Sequence, residues 1–197
     1  LVIGNNDNGC TPELEKLAYN VGSEVAKSNS VLITGGLGGV MRAACSGAQE
    51  SGGITVGIIP QDDSSHANDF CDIVIPPGMG LTRDFLNALS ADGVIVIGGG
   101  SAMDLAKVVM AHLCLEKSDI FELIECKEKY PQTIPSIFLP TTHGTASEVT
   151  MWGTIWNMKE EKKYSISHPN LYPTVAILDG RLTLSLPMDI SITTTMD

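Results

Sequence analysis

Two glycine-rich segments, each lying between an apolar run and a helix-like pattern, are the part of the sequence best suited to chemistry. One occupies residues 35–39 (GGLGG) after the run 31–34, and the other occupies residues 98–100 (GGG) after the run 93–97. Glycines let a backbone approach a ligand closely, and the free N–H groups at a helix start attract anions. Both segments are therefore candidate phosphate-binding turns. For residues 35–39, a tight turn needed only for helix–sheet packing is an equally good interpretation.

Polar side chains follow the second turn at helical spacing. Ser101 comes directly after the glycines, and Asp104 and Lys107 lie further along the same pattern. A pyrophosphate at this helix start would meet backbone N–H groups, the positive end of the helix dipole and the Ser101 hydroxyl. Asp104 either lies near such a ligand or is a first-turn acid favoured by the dipole. Lys107 is interpreted as a solvated helix charge.

A second group of polar residues follows the apolar run 134–139. Its hydroxyls belong to Thr141, Thr142 and Thr145. The carboxyl ends of parallel strands are where α/β sheets bind ligands, so these threonines are candidate contacts for a cofactor. His143, between them, is interpreted as a loop histidine. The remaining histidines show no ligand-like spacing: His66, His112 and His168.

These turns need strands and helices to position them, and the apolar pattern predicts both. Strands are expected at residues 1–4, 31–34, 54–59, 72–75, 93–97 and 134–139, and helices at 12–28, 40–51, 81–90 and 102–117. Near-continuous apolar strands between helices indicate a parallel sheet covered on both faces. The predicted fold class is therefore α/β, with a doubly wound, Rossmann-like parallel sheet.

The C-terminal part follows a different pattern. Residues 151–157 and 163–167 alternate in polarity, which predicts a β-hairpin around the charged turn 159–162. Residues 175–179 (VAILD) predict another buried strand, and residues 183–187 predict a helix start.

Composition excludes several classes of function. The 197 residues are 43% hydrophobic and 18% charged, which is typical of a folded globular chain. Residues 1–100 contain 4 basic and 11 acidic residues, a net charge of −7, and residues 101–197 contain 8 and 12, a net charge of −4. Neither half offers a basic surface to nucleic acid or to an anionic membrane. The apolar runs are too short to span a bilayer, no signal peptide precedes Leu1, and the five cysteines form no CxxC motif. We therefore expect a cytoplasmic protein with reduced thiols.

The first half resembles a known group of nucleotide-binding proteins. GGLGGVMRAACSGAQESGGITVGIIP (35–60) and PPGMGLTRDFLNALSADGVIVIGGG (76–100) are similar to the molybdenum-cofactor carriers, within the wider superfamily of cytokinin-activating nucleotide phosphoribohydrolases. The resemblance implies a Rossmann-like sheet, a homodimer and a phosphate-binding glycine loop. In that loop the matching residues are Gly35, Gly36, Gly38 and Gly39. It also places Arg83 near the phosphate or ribose, a task that suits the fixed fork of guanidinium donors.

The hydrolases of that superfamily require a GGxGTxxE stretch, which this sequence lacks. Here residues 98–106 are GGGSAMDLA, so Ala106 stands where the catalytic glutamate is needed. An alanine can neither stabilise an oxocarbenium-like centre nor transfer a proton. The first half therefore predicts a carrier rather than a phosphoribohydrolase.

The second half resembles the iron-containing (group III) alcohol dehydrogenases. Its motifs occur in the family's order: GGGSAMDLAKVVM (98–110), IPSIFLPTTHGTASEVT (134–150), KKYSISHPNLYPTVAILD (162–179), LTLSLP (182–187) and TMD (195–197). The family implies an α/β domain that binds NAD or NADP and an all-helical domain that holds iron or zinc. The resemblance assigns to the cofactor Gly98, Gly99, Gly100, Ser101, Asp104, Thr141, Thr142, Thr145 and Lys163, with Asp104 toward the nicotinamide or substrate end. Asp197 matches the first metal ligand.

Together these observations predict a composite chain. We expect a nucleotide-binding half at residues 1–97, the dinucleotide-binding part of a dehydrogenase at 98–188 and a truncated start of the helical domain at 189–197. The predicted function is that of a fragment of a metal-dependent alcohol dehydrogenase acting on an alcohol or aldehyde, inactive by itself, with the metal bound only in the full-length protein. The alternative is a non-enzymatic nucleotide or molybdenum-cofactor carrier. Near Gly98–Gly100, a natural fusion and a chimera both explain the change of pattern.

Overall fold

The chain folds as two compact units, residues 1–91 and 92–197, in a computed structural model that describes residues 1–115, 120–125, 130–157 and 161–196. In each unit parallel strands alternate with helices. The predicted α/β class with a Rossmann-like parallel sheet is therefore confirmed. Among the described residues, no helix has both the length and the apolar composition needed to cross a membrane.

The first unit contains four strands and three helices. In chain order they are β1 (Val2–Gly4), α1 (Pro12–Lys27), β2 (Leu32–Thr34), α2 (Val40–Glu50), β3 (Thr55–Ile58), β4 (Ile73–Ile75) and α3 (Asp84–Leu89). The strands lie in the order β4-β3-β2-β1, and each neighbouring pair is parallel. The glycine turn therefore connects the carboxyl end of a central strand, β2, to the first residue of α2.

Helices α1 and α2 pack closely because glycines lie at their contact. A Cβ placed on Gly47 of α2 would overlap the backbone carbonyl of Tyr19 in α1. A Cβ on Gly22 of α1 would in turn overlap the carbonyl of Ala44 in α2. Each helix thus presents a glycine to the backbone of the other, and Ala18 and Ala44 between them are fully buried.

The described residues of the second unit form five strands and three α-helices. They are β5 (Val94–Gly98), α4 (Gly100–Leu115), α5 (Ile120–Glu125), β6 (Ser136–Pro140), β7 (Trp152–Asn157), β8 (Lys162–Ser167), β9 (Val175–Ala176) and α6 (Met188–Thr195). Strands β5, β6 and β9 are parallel in that order, and β7 and β8 form an antiparallel hairpin that pairs Trp156 with Lys163. The predicted hairpin is confirmed, while the turn residues 158–160 lie outside the described residues.

The strand predicted at residues 175–179 is present, but it is shorter than predicted and is not buried. Only Val175 and Ala176 form a strand, and Leu178 is 68% exposed. Among the described strands of this unit, β9 pairs with β6 alone. An apolar run at the end of a sheet is indistinguishable in sequence from one at its centre, which explains the error.

The described cysteines carry free thiols. Cys45 and Cys114 are buried, whereas Cys10 and Cys71 are partly exposed. Cys126 lies outside the described residues. The Sγ atoms of Cys45 and Cys71 are 4.0 Å apart, beyond the length of a disulfide bond.

Substituting Gly47 with alanine should destabilise the first unit. Alanine favours a helix by about 1 kcal/mol over glycine, but here its Cβ would overlap a backbone carbonyl of α1. Overpacking of this kind costs about 1–3 kcal/mol, so we expect a net loss in the free energy of unfolding measured by urea denaturation. Gly180→Ala is the control, because a Cβ there meets open space. Equal midpoints for the two variants would contradict the helix-contact interpretation.

Candidate functional site

A cleft of about 530 Å³ lies in the second unit, beside the amino-terminal end of α4. The strand β5 ends at Gly98, and α4 begins at Gly100, so the turn between them is a single residue. The cleft is lined by Gly100, Ser101, Asp104, Gly144, Thr145, Ser147, Thr150, Trp152, Thr154, Trp156 and Lys163. Its wall therefore combines a helix start, hydroxyl groups, a carboxylate, an ammonium group and two indole rings.

The threonine loop after β6 fits closely against the glycine turn after β5. A Cβ on Gly99 would lie 3.1–3.2 Å from the side chain of Thr142, and one on Gly100 would lie 2.9–3.1 Å from that of Thr145. The amide of Thr141 also donates to the carbonyl of Gly98 at 3.0 Å. The two loops follow neighbouring parallel strands, which is where such sheets bind ligands.

The structure brings together part of the predicted cofactor set. Five of the nine predicted residues line the cleft: Gly100, Ser101, Asp104, Thr145 and Lys163. The others form the two strand ends behind it. Thr142 Oγ1 is buried there and has no hydrogen-bond partner among the described residues.

The hairpin supplies one side of this cleft. The Nζ atom of Lys163 lies 4.7 Å from the ring centre of Trp156, within the range of a cation–π contact. Trp152 and Trp156 are both more than half exposed, although large aromatic side chains usually contribute to cores. Sequence analysis identified Lys163 but missed the tryptophans, whose i, i+2, i+4 alternation with Thr154 was the available signal.

Lys107 was predicted to be a solvated helix charge, and this prediction was wrong. Its side chain is fully buried, and its Nζ donates hydrogen bonds to Ser147 Oγ (2.9 Å), Thr150 Oγ1 (3.1 Å) and the carbonyl of Trp152 (2.7 Å). A buried ammonium needs such partners, because removing it from water is otherwise costly. Burial lowers the pKa of Lys107 to about 8, even though the carboxylates of Asp104 and Glu148 oppose that shift.

The glycine turn of the first unit is held by the chain's own polar groups. Gly36 and Gly39 have positive φ angles of 67° and 61°, a conformation that favours glycine. The Thr34 hydroxyl accepts a hydrogen bond from the Gly36 amide at 3.0 Å. Asp7 Oδ1 accepts a hydrogen bond from the Gly39 amide at 2.8 Å. This amide was predicted to donate to a phosphate, and here it donates to a carboxylate of the chain itself. Sequence analysis missed Asp7, which is 32 residues away from that amide.

Arg83 lies against the same turn. A Cβ on Gly35 would be 2.9 Å from Nη2 of Arg83, so the guanidinium contacts the glycine backbone directly. The side chain is buried and pairs with Asp84. When the Asn87 amide is oriented with its oxygen toward the guanidinium, Nη1 donates to that oxygen at 2.8 Å. Burial raises the pKa of Asp84, and Arg83 opposes that rise. Nε of Arg83 is buried without a hydrogen-bond partner among the described residues.

The remaining predicted positions concern the missing catalytic glutamate and the metal ligand. Ala106, where the hydrolases need a glutamate, is fully buried in α4. Asp197, the predicted metal ligand, lies outside the described residues. Within the described ranges, no three His, Cys, Asp or Glu side chains are grouped so as to hold a metal ion. His143 instead contacts α6, with Nε2 lying 2.8 Å from Ser191 Oγ.

The fold and these two turns define a Rossmann-like α/β protein with two strand–glycine–helix motifs, and two family models match it. The SLOG cluster4 family matches residues 1–112, and the iron-containing alcohol dehydrogenase family matches residues 81–180. Each match spans more than half of the 197 residues. The chain therefore belongs to both families, through its first and second parts respectively.

Curated relatives divide in the same way. The chain is 44% identical over 91 residues to an uncharacterized protein of Archaeoglobus fulgidus, a match that covers 46% of this chain and 60% of that protein. It is 38% identical over 112 residues to the probable alcohol dehydrogenase EutG of Escherichia coli, covering 57% of this chain and 28% of that protein. The chain thus spans less than two thirds of the length of either relative.

Solved structures show both resemblances. The molybdenum cofactor binding protein from Rippkaea orientalis is 31% identical, with a TM-score of 0.55 over 71% of this chain and 74% of that one. Sulfoacetaldehyde reductase from Bifidobacterium kashiwanohense, solved with NAD+, is 24% identical, with a TM-score of 0.57 over 100% of this chain and 48% of that one. NADH-dependent butanol dehydrogenase A from Thermotoga maritima is 22% identical, with a TM-score of 0.56 over 97% and 45%. At these identities the two oxidoreductases show the shared fold alone.

Removing the carboxylate of Asp7 should free the Gly39 amide. In Asp7→Ala this N–H loses its acceptor, so we expect its hydrogen exchange, followed by NMR, to accelerate at least several-fold. Asp69→Ala is the control, because Asp69 is an exposed carboxylate elsewhere in the same unit. Unchanged exchange at Gly39 in Asp7→Ala would contradict the described contact.

Proposed function

We propose that the second unit binds a nicotinamide dinucleotide in its cleft, as part of an oxidoreductase that exchanges hydride between this cofactor and an alcohol or aldehyde. The observation that carries the proposal is the convergence of Gly100, Ser101, Asp104, Thr145 and Lys163 on one cleft. These residues are dispersed over more than sixty positions of the sequence, and the family resemblance selected all of them independently of the structure. Membership of the iron-containing alcohol dehydrogenase family supports the same function.

The residues of the cleft fit the parts of a dinucleotide. The start of α4, with Gly99, Gly100 and the Ser101 hydroxyl, presents donors and a helix dipole suited to a pyrophosphate. Lys163 adds a positive charge to the cleft wall. Asp104 presents a carboxylate, which accepts hydrogen bonds from amide or hydroxyl groups. When bound, the nicotinamide supplies the hydride acceptor or donor.

The metal-dependent part of the family's chemistry is not assigned to this chain. The described ranges contain no group of three or more His, Cys, Asp or Glu side chains that could hold a metal ion, and Asp197 is outside them. Catalytic sites for iron or zinc use several nitrogen and oxygen ligands together. We therefore expect this chain to bind NAD or NADP. By itself it should not oxidise alcohols, with or without added iron or zinc.

Binding of NADH tests the proposal directly. Energy transfer from Trp152 and Trp156, which line the cleft, to bound NADH provides the signal. Lys163→Ala should weaken binding about tenfold, because a charge-assisted contact of about 1.4 kcal/mol is lost. Lys162→Ala is the matched control: it removes the neighbouring hairpin charge, which is exposed and lies outside the cleft lining. Absence of NADH binding by the unsubstituted chain, or equal losses in both variants, would count against the proposal.

We propose, as a second candidate, that the first unit binds a nucleotide or pterin phosphate at the turn 35–39. Two observations favour it: the contact of the Arg83 guanidinium with Gly35, and the 31% identity to a molybdenum cofactor binding protein over 74% of that chain. An anion at this turn would compete with the Asp7 carboxylate for the Gly39 amide. With Ala106 in place of a glutamate, the proposed role is binding without cleavage of an N-glycosidic bond.

The competition with Asp7 makes this candidate testable with AMP. Asp7→Asn keeps an acceptor for the Gly39 amide but removes the negative charge, so AMP affinity measured by calorimetry should rise several-fold. Arg83→Gln should reduce that affinity about tenfold or more. Lys27→Gln, which changes an exposed charge paired only locally with Glu24, should leave it unchanged. Weaker or unaltered AMP binding in Asp7→Asn would contradict a phosphate site at this turn.

A further inference from the structure

Lys107 is a fully buried charged residue to which the proposed function assigns no role. No part of its side chain is accessible to solvent. A buried ammonium group is costly unless its hydrogens are bonded and its charge is compensated. Here all three hydrogens have acceptors within 3.1 Å, and the Asp104 carboxylate lies 3.9 Å from Nζ.

The direction of these hydrogen bonds fixes the state of Ser147. An ammonium group can only donate, so Ser147 Oγ must accept from Lys107 Nζ. The hydroxyl hydrogen of Ser147 is therefore left to point elsewhere, and Asp104 Oδ1 accepts it at 2.6 Å. A one-way chain of hydrogen bonds thus leads from a buried cation, through a buried hydroxyl, to a carboxylate on the wall of the cleft.

The same ammonium group also holds the cleft wall together. Its bonds to Thr150 and to the carbonyl of Trp152 connect α4 to the segment that enters the hairpin, more than forty residues away in sequence. Gly153 permits this approach, because a Cβ there would lie 3.1 Å from the Cβ of Lys107. Ser147, Thr150 and Trp152 all line the cleft, so one cation supports three of its lining residues.

We propose that Lys107 is a positioning residue of the dinucleotide site, which orients Asp104 through Ser147 and supplies buried positive charge behind the cleft. This inference rests on the proposed cofactor function and deepens it. Lys107 touches no ligand directly in this arrangement. Its effects on binding are transmitted by the Ser147–Asp104 hydrogen bond and by the field of its charge, which burial screens less than solvent would.

The proposal predicts a pH dependence with a definite sign. The charged groups facing Nζ are Asp104 on its own helix and Glu148 on the adjacent loop, while the hairpin offers it a backbone carbonyl. Because burial lowers the pKa of Lys107 to about 8, the amine is protonated near pH 7 and largely neutral near pH 9. An anionic diphosphate binds the protonated form better, so affinity should be full at the lower pH and decline as pH rises through that range.

The experiment is an NADH titration of the whole chain at pH 7 and pH 9. We expect the dissociation constant of the unsubstituted chain to rise about threefold to tenfold between them. Lys107→Arg keeps its charge at both pH values and should show a flat profile. Lys163→Ala should bind more weakly but retain the pH dependence. Ser147→Ala should also weaken binding several-fold. It should retain the pH dependence, because Lys107 keeps its other two hydrogen-bond partners.

Each result of this experiment decides a different question. The positioning role is overturned if the NADH affinity of the unsubstituted chain is the same at pH 7 and pH 9. It is also overturned if the affinity of folded Lys107→Arg still falls between these pH values. Either result leaves NADH binding established. No NADH binding at either pH overturns the proposed function and this inference with it. If Lys107→Arg fails to fold, as judged by circular dichroism, the lysine ¹³Cε resonances of the unsubstituted chain are followed over pH with and without NADH. A resonance whose titration moves to higher pH when NADH binds supports the proposal, and titrations that NADH leaves unchanged overturn it.

Discussion

The second unit depends on the burial of one ammonium group. Lys107 bonds to Ser147, Thr150 and the carbonyl of Trp152, and these partners belong to the loop and hairpin that form the cleft. Replacing Lys107 with an apolar residue would leave three acceptors without their donor, and an unsatisfied buried polar group costs about 1–3 kcal/mol. The same ammonium group is therefore hydrogen-bonded to the cleft wall directly and to Asp104 through Ser147.

The two glycine turns illustrate different uses of one local motif. After β5, the turn adjoins a cleft whose wall includes the hydroxyls of Ser101 and Thr145. After β2, side chains of the same chain contact the turn: Asp7 accepts a hydrogen bond from the Gly39 amide, and Arg83 lies against Gly35. Free N–H groups at a helix start favour any anion, whether it belongs to a ligand or to the chain itself. The amide of Gly39 in the first turn is therefore already hydrogen-bonded within the chain, whereas the second turn borders a cleft.

The overlap of the two family matches has a structural explanation. Both matches include residues 81–112, which contain β5, the second glycine turn and most of α4. A parallel strand followed by glycines and a helix is common to Rossmann-like folds of different function, so this stretch satisfies both family patterns. Function must then be decided by the residues around the turn. Ala106 removes the group that hydrolysis requires, and Ser101, Asp104 and Thr145 supply groups suited to a dinucleotide.

The sequence by itself determined most of the elements, the two turns and five of the eleven residues that line the cleft. Apolar periodicity and glycine placement are local properties, and they located α1, α2 and β1–β8 to within about two residues. The tertiary structure alone decided that Lys107 is buried, that Asp7 fills the first turn and that residues 175–179 lie largely exposed. Those outcomes depend on contacts between residues 32 to 45 positions apart, or on a strand's place at the end of a sheet. A local pattern carries no information about such contacts, because they arise only when the sheet has assembled.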